Sequence, residues 1–303
     1  MNEIILIDLP AGRGCWYSGY PVHRGESEES VNYATIYANK KHIIPDQAIL
    51  KNDFNNFVKI LKSAGFVLHI LPFPEVLNQP DDLHHDAVFA RDAGLMFGDY
   101  WIKARFNVLS REAESDVCAE MISKKFGKKI LEPPPGAYLE FGETFFLQTQ
   151  DGSYYFGGLS RANEEGHDFV RTIVNPDNYC LIKSKGYHLD TVFSPVLNSE
   201  NELAAFVVAE EMLSPESLNN LKKFNVEIIS VDLADSSGTK EKLGNCAVNS
   251  LVAPGVMINS AKFLTPGVET RIAELGIKRF IAPLSYFHFA GGSCHCLTNE
   301  IYK

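Results

Sequence analysis

Phe54-Asn55-Asn56-Phe57-Val58-Lys59-Ile60-Leu61-Lys62-Ser63-Ala64-Gly65-Phe66-Val67-Leu68-His69-Ile70-Leu71 carries the pattern on which the fold turns. Phe54, Phe57, Val58 and Leu61 share one face of a helix. Gly65 marks the stop, because the residue after a helix often takes the left-handed conformation, which glycine adopts without strain. A short apolar strand at 66–71 follows. The same grammar returns down the chain. Val117, Met121 and Ile122 lead to Gly127 and a strand at 129–131, and Phe169, Val170 and Ile173 lead past Asn175-Pro176 to one at 179–182. Ser214-Pro215 is expected to cap a helix ending at Asn225 before a strand at 226–231. Thr265-Pro266 is expected to cap another, ending at Gly276 before a strand at 277–282.

Hairpin-like pairs lie between these units. One pairs 94–97 with 100–104 across Gly98-Asp99, and another pairs 144–148 with 154–157 across Asp151-Gly152. The chain therefore reads as an α/β protein of five strand-strand-helix-strand modules recurring every 50 to 60 residues or so, the range of repeat and propeller architectures. A plain α/β sandwich is the alternative. We take residues 1–303 as one catalytic domain.

A chain of 303 residues, 45% of them hydrophobic, can bury a large core. Its formal net charge of −10 argues against a nucleic-acid or anionic-membrane partner and suits a cationic one. Nothing at the N-terminus has the form of a signal peptide, and no apolar run is long enough to span a bilayer, so a cytoplasmic location is expected. Cys15, Cys118, Cys180, Cys246, Cys294 and Cys296 show no Cys-x-x-Cys spacing, which speaks against zinc and against a disulfide framework. A homodimer is compatible with this sequence.

Five segments are polar in apolar surroundings. They are His85-Asp86-Ala87-Val88-Phe89-Ala90-Arg91-Asp92, Leu139-Glu140-Phe141-Gly142-Glu143, Gly158-Leu159-Ser160-Arg161-Ala162-Asn163, His188-Leu189-Asp190-Thr191, and Gly291-Gly292-Ser293-Cys294-His295-Cys296. Taken singly, each has an ordinary explanation. Asp92 and Asp190 suit turns, Glu140 a strand edge, His188 a structural hydrogen bond, and Arg111 and Arg161 a solvated surface. Cys296 alone would be an inert core thiol.

In combination and in this order, the segments resemble the guanidino-group-modifying superfamily of arginine deiminases, dimethylargininases and amidinotransferases, over roughly residues 60 to 303. Phe89-Ala90-Arg91-Asp92 resembles its Phe-x-Arg-Asp or Glu-Asp segment. Leu139 to Glu143 is similar to Leu-Glu-Gly-Gly-Asp, with Phe141 and Glu143 departing from it. Gly158 to Asn163 is similar to Gly-x-Ser-x-Arg-Thr-Asn but one residue shorter, and Asn245-Cys246 resembles a dimethylargininase Asn-Cys pair. The resemblance implies a pentein fold, a pseudo-fivefold α/β propeller of ββαβ modules, in agreement with the periodicity.

It also implies a chemistry. A guanidinium carbon is a poor electrophile, and carboxylates that grip its N–H groups fix its plane and keep it cationic. Asp92 and Asp190 are expected to form this clamp, with Asp86 and Phe89 as further substrate contacts. Cys296 would be the nucleophile, activated by the bound cation, with His188 as general acid and base and Glu140 orienting it. No metal or organic cofactor is required. Cys294 lies two residues from Cys296 and in a strand would face the same side; the family pattern favours Cys296.

Arg111 and Arg161 fall where family members carry arginines, some of which bind an amino-acid carboxylate, so the expected partner is a small cationic amino acid, arginine or a derivative. Asp190 resembles the deiminases and amidinotransferases more than the dimethylargininases and favours unmethylated arginine. The expected reaction is hydrolysis to citrulline and ammonia or an amine. Amidinotransfer and an arginine dihydrolase giving ornithine are the alternatives within the family. A non-catalytic binding propeller and a papain-like hydrolase are the rivals outside it; in the latter the cysteine precedes the histidine, the reverse of the order here. The glycine- and aromatic-rich stretch 12–27 has the composition of a lid loop.

Overall fold

All five stop residues sit at positive φ: Gly65 at 92°, Gly127 at 66°, Asn175 at 43°, Asn225 at 56° and Gly276 at 73°. The backbone reverses after each helix because glycine and asparagine tolerate that region best. The computed structural model describes residues 3–11, 32–79, 82–239 and 241–303, and the stretch 12–27 expected as a lid lies outside them.

In chain order the elements are β1 (Glu3–Ile7), α1 (Tyr33–Lys40), α2 (Gln47–Ser63), β2 (Val67–Leu71) and the short pair β3 (Asn78–Gln79) and β4 (Asp82–Leu83). Then follow β5 (Gly94–Phe97), β6 (Tyr100–Lys103), α3 (Glu112–Phe126) and β7 (Lys129–Leu131), and β8 (Thr144–Thr149), β9 (Gly152–Gly158), α4 (Glu164–Val174) and β10 (Asn178–Ile182). The last are β11 (Phe193–Leu197), β12 (Leu203–Val208), α5 (Pro215–Lys222), β13 (Glu227–Ser230), β14 (Leu251–Ala253), β15 (Val256–Asn259), α6 (Val268–Glu274), β16 (Lys278–Ile281) and β17 (Asn299–Tyr302).

Four of the units are contiguous. In each, two antiparallel strands are followed by a helix and a third strand parallel to the second, as in β5-β6-α3-β7 and β11-β12-α5-β13. The helix is needed because a parallel neighbour requires a crossover. The fifth unit is assembled from both ends of the chain: β17 runs antiparallel to β1, which after α2 pairs in parallel with β2. β17 also pairs with β5, so two units merge into one six-stranded sheet. The result is a mixed α/β fold.

Local capping mostly follows expectation. Asp46 caps α2 by accepting from the N–H groups of Ala48 and Ile49, and Ser214 caps α5 through Ser217 N–H. Thr265-Pro266 does not cap α6, a correction to the sequence reading. The helix begins at Val268 behind Gly267, because Asp235 takes both the N–H and the hydroxyl of Thr265, at 2.9 and 2.6 Å. Buried Asp235 also accepts from Leu264 N–H at 2.7 Å and from Asn245 Nδ2 at 3.1 Å. Asp235→Ala leaves these donors without a partner and is expected to destabilise the fold by about 2–4 kcal/mol. Urea unfolding of the two proteins measures this; an unchanged midpoint would mean that water replaces the carboxylate at no cost.

One regularity positions the site. The first strand of every unit is entered from a tight turn, two to five residues long, that carries a buried polar side chain: Asp92 before β5, Glu140 before β8, His188 and Asp190 before β11, Asn249 before β14 and Cys296 before β17. The turns are also stitched to each other. Arg91 N–H donates to Cys296 O at 3.1 Å, and the Asn299 amide donates to Ala90 O and Gly94 O at 3.1 and 2.6 Å. Arg91 pairs with Glu300 of β17.

Candidate active site

His188, the last extended residue before β11's turn, places its imidazole between two carboxylates. Nε2 lies 2.8 Å from Glu140 Oε2, and Nδ1 lies 3.7 Å from Asp92 Oδ1. The other Glu140 oxygen accepts from the N–H groups of Asn107 and Val108, both at 3.1 Å. Arg161 Nη1 stands 3.4 Å from Oε2, its guanidinium over the Tyr187 ring. Burial alone would raise the Glu140 carboxyl, but the Arg161 charge and the His188 hydrogen bond bring it down to about 2. Burial works against the His188 cation, and the Asp92 and Glu140 charges outweigh it, so the imidazole is held above its usual value. Gly142 makes this approach physically feasible, since a Cβ there would strike the His188 ring and Asp92.

Glu143 holds the neighbouring segments in register. Its carboxyl accepts from Ser160 N–H at 2.9 Å, Arg161 N–H at 2.5 Å and Leu189 N–H at 2.8 Å. A longer side chain than the aspartate of the resembled motif thus spans to both the Arg161 and His188 loops. Arg111 grips Asp92 at 2.6 Å, Glu114 at 2.9 Å and the Asp86 carbonyl at 3.1 Å. It therefore orients Asp92 while lining the same cavity.

Cys296 lies in a helical turn, closed by Leu297 N–H to Ser293 O at 3.1 Å. The strand premise about Cys294 and Cys296 thus fails: two residues apart in a turn, they diverge. Cys294 is fully buried and is not among the residues that line the cavity, and burial pushes its thiol to about 12. Cys296 lines the cavity instead, its Sγ 3.2 Å from Asp190 Oδ2 and 3.1 Å from Asn249 Nδ2. Burial, then the Asp190 and Asp92 charges, push this thiol well above its usual range. The Asp190 oxygen that faces the sulfur also accepts from His295 Nδ1 at 2.9 Å. Burial, followed by the Arg91 charge, brings His295 down to about 4, so it serves Asp190 as a neutral donor stacked on Phe145.

The cavity is lined by Asp86, Phe89, Asp92, Arg111, Arg161, Tyr187, His188 and Cys296 among others. Phe89 forms one wall, packed so closely on Gly292 that a Cβ at residue 292 would strike its ring. Asp86 Oδ1, Asp92 Oδ1 and Asp190 Oδ1 are buried acceptors with no hydrogen bond. Among the described residues no group of three or more His, Cys, Asp and Glu side chains is arranged to hold a metal ion, and no helix is long and apolar enough to cross a membrane.

The family model for N,N dimethylarginine dimethylhydrolase, eukaryotic, matches residues 26–303. The chain belongs to this family. The chain is also similar to the bifunctional arginine dihydrolase/ornithine cyclodeaminases AgrE of Nostoc sp. (strain PCC 7120) and ArgZ of Synechocystis sp. (strain PCC 6803), each 26% identical over 71% of this chain. The chain spans 29% of the length of these two proteins. The crystal structure of the N-terminal domain of ArgZ bound to product superposes on the whole chain with a TM-score of 0.76 at 18% identity, covering 98% of that domain. AgrE in complex with ornithine and NAD+ gives 0.76 at 18% identity over 39% of its chain. A dimethylarginine dimethylaminohydrolase adduct with 4-chloro-2-hydroxymethylpyridine gives 0.67 at 19% identity, covering 99% of this chain and all of that one. The description of the matched family is that of a hydrolase of a guanidino C–N bond.

All nine residues singled out from the sequence, Asp86, Phe89, Asp92, Arg111, Glu140, Arg161, His188, Asp190 and Cys296, are buried around this one region. The Asn245-Cys246 pair is not at its centre: Asn245 bonds Asp235 and the Ala247 N–H. Asn249 and His295 are the contributors that sequence reading left without a role. The signal for Asn249 was the repeat itself, a buried polar residue expected just before each unit's first strand.

Proposed function

We propose that the chain is a cysteine-dependent hydrolase of the guanidino group of arginine or an N-methylated arginine, giving citrulline and ammonia or an amine. The observation that carries this reading is the set of donor-less carboxylate oxygens on Asp86, Asp92 and Asp190 around the Cys296 thiol. A planar cation with several N–H groups meets that demand, and buried acceptors without donors are otherwise costly. In this reading residues 1–303 form one catalytic domain, the five units close as a pentein propeller, and the enzyme works in the cytoplasm without a cofactor.

Asp92 and Asp190 clamp the guanidinium. Its charge offsets the burial and the two carboxylates that hold the Cys296 thiol protonated, so once substrate is bound the thiol gives up its proton by way of Asp190 Oδ2 to solvent and the thiolate forms. Sulfur then bonds to the guanidinium carbon. As the C–N bond breaks, the nitrogen leaves with the electron pair and takes a proton from His188, which Glu140 keeps cationic. The neutral imidazole next removes a proton from water, the oxygen adds to the same carbon, and the C–S bond breaks to return the thiolate and release the ureido product. Arg111 and Arg161 face the amino-acid end, where their charge suits a carboxylate.

Asp190 supports unmethylated arginine, because an acceptor beside the sulfur calls for an N–H that methylation removes. The matched family model supports the methylated substrate. Incubation with arginine, mono- and dimethylarginine and agmatine, followed by mass identification of products, decides. Citrulline is expected, with agmatine a poor substrate. Ornithine would assign a dihydrolase, and no product from any arginine derivative would overturn hydrolysis.

A further inference from the structure

We infer that Asn249 is a working member of the catalytic centre, whose side-chain amide seats Cys296 and donates a hydrogen bond that stabilises its thiolate. This rests on reading Cys296 as the nucleophile. Asn249 stands in the turn before β14, the position from which the other four units present Asp92, Glu140, His188 with Asp190, and Cys296. Its side chain is buried. Oδ1 accepts from the N–H groups of His295 and Cys296 at 3.0 and 3.4 Å, and Nδ2 donates to Asp190 O at 3.2 Å.

Those partners fix which way the amide points. Rotating it would set its NH2 against two backbone N–H donors and its oxygen against a carbonyl. The remaining N–H must therefore face Cys296 Sγ, at 3.1 Å. The thiol can give its own proton to Asp190 Oδ2 at 3.2 Å, but after deprotonation that carboxylate repels the sulfur. The Asn249 N–H then becomes the neutral donor to a charged acceptor, the stronger kind of hydrogen bond. One side chain thus holds the backbone of the nucleophile's turn, the carbonyl of the clamp residue and the reacting atom.

The titratable and charged groups around this sulfur and its cavity are Asp190, Asp92, Asp86, Arg91, Arg111, Arg161, Tyr187, His188 and His295, and both variants keep all of them. Full-length wild type, Asn249→Ala and Asn249→Asp are inactivated with 2-chloroacetamidine across pH, the alkylated residue being identified by peptide mass. In this reaction the thiolate displaces chloride, forming C–S as C–Cl breaks. Asn249→Asp keeps an acceptor for the two backbone N–H groups and lacks the donor but sets a further carboxylate beside the sulfur, so the uncharged Asn249→Ala carries the decision on thiolate support and Asn249→Asp reports whether seating is kept.

Both variants are expected to inactivate about 10- to 100-fold more slowly at neutral pH, with the ascending limb moved up by about one unit or more. The half-saturating probe concentration should change little, and thermal melting verifies folding. If folded Asn249→Ala keeps the wild-type limb and rate, the inference is overturned; if only Asn249→Asp keeps them, the amide is not the donor. Should Asn249→Ala fail to fold, the uncharged Asn249→Leu takes its place, and a wild-type limb in that variant overturns the inference. No substrate turnover enters this readout. A wild type that turns over no guanidine while the limb still moves would sink the hydrolase reading alone.

Discussion

Cys296→Ala is expected to lower turnover of the best arginine substrate by about 10⁴- to 10⁶-fold, as removal of a nucleophile does when the rest of the site stays in place. Cys294→Ala should stay within a few-fold of wild type. The physical contrast lies in where each sulfur is placed: Cys296 faces Asp190, Asn249 and the cavity, whereas Cys294 is fully buried away from the cavity lining. Removing the latter leaves a small cavity and costs on the order of 1 kcal/mol of stability. Citrulline and amine release measure the first effect and thermal melting the second. Loss of turnover in Cys294→Ala, with turnover kept in Cys296→Ala, would reverse the assignment. Because the Cys296 thiol is held up by burial and by the Asp190 and Asp92 charges, uncharged iodoacetamide should label it slowly at neutral pH. An amidinium reagent, which brings the missing cation, should label it faster.

His188→Gln is the second large effect, a fall in kcat of about 10³- to 10⁴-fold from loss of the group that protonates the leaving nitrogen. The folded His188 lies above its ordinary value of 6.5, with the Asp92 and Glu140 charges prevailing over burial. The cation is therefore present below the raised value and lost as pH climbs through it, and kcat should fall on that alkaline side. Glu140→Gln removes one of the two carboxylates, so the alkaline limb should move to lower pH as kcat drops. A limb that moves upward would contradict the assigned partnership. Stability follows the same sign: the imidazolium's contribution is complete below 6.5 and disappears as pH rises through the folded value.

Much of the site could be read before any coordinates because its residues sit at regular places in a regular chain. Asp92 and Glu140 each precede a strand legible in the sequence, at 94–97 and 144–148, whereas the strands that follow His188 and Cys296 emerge only in the structure. Asn249 follows the same rule but sits among Ala247, Val248 and Ser250, where a lone asparagine carries no charge to draw attention, and Asn245-Cys246 drew the comparison instead. His295 lies in the quoted nucleophile segment, yet its role depends on Asp190, which is 105 residues away. Arg111 reads equally well as a carboxylate binder or as a brace. Its bonds to Asp92 and Glu114 add the bracing role, which only the structure shows, to the place it keeps in the cavity lining.

Helix faces, stop residues and the five-unit rhythm are local properties, set by side-chain spacing over a few turns and by the backbone freedom of Gly65, Gly127, Asn175, Asn225 and Gly276, and these the sequence determined by itself. Which end of the chain completes the unit around β1, why Thr265 leaves its helix for Asp235, and which of two neighbouring cysteines meets Asp190 were decided by the tertiary structure. Each depends on groups brought together from distant positions, where a carboxylate bonds whichever donors the packing supplies.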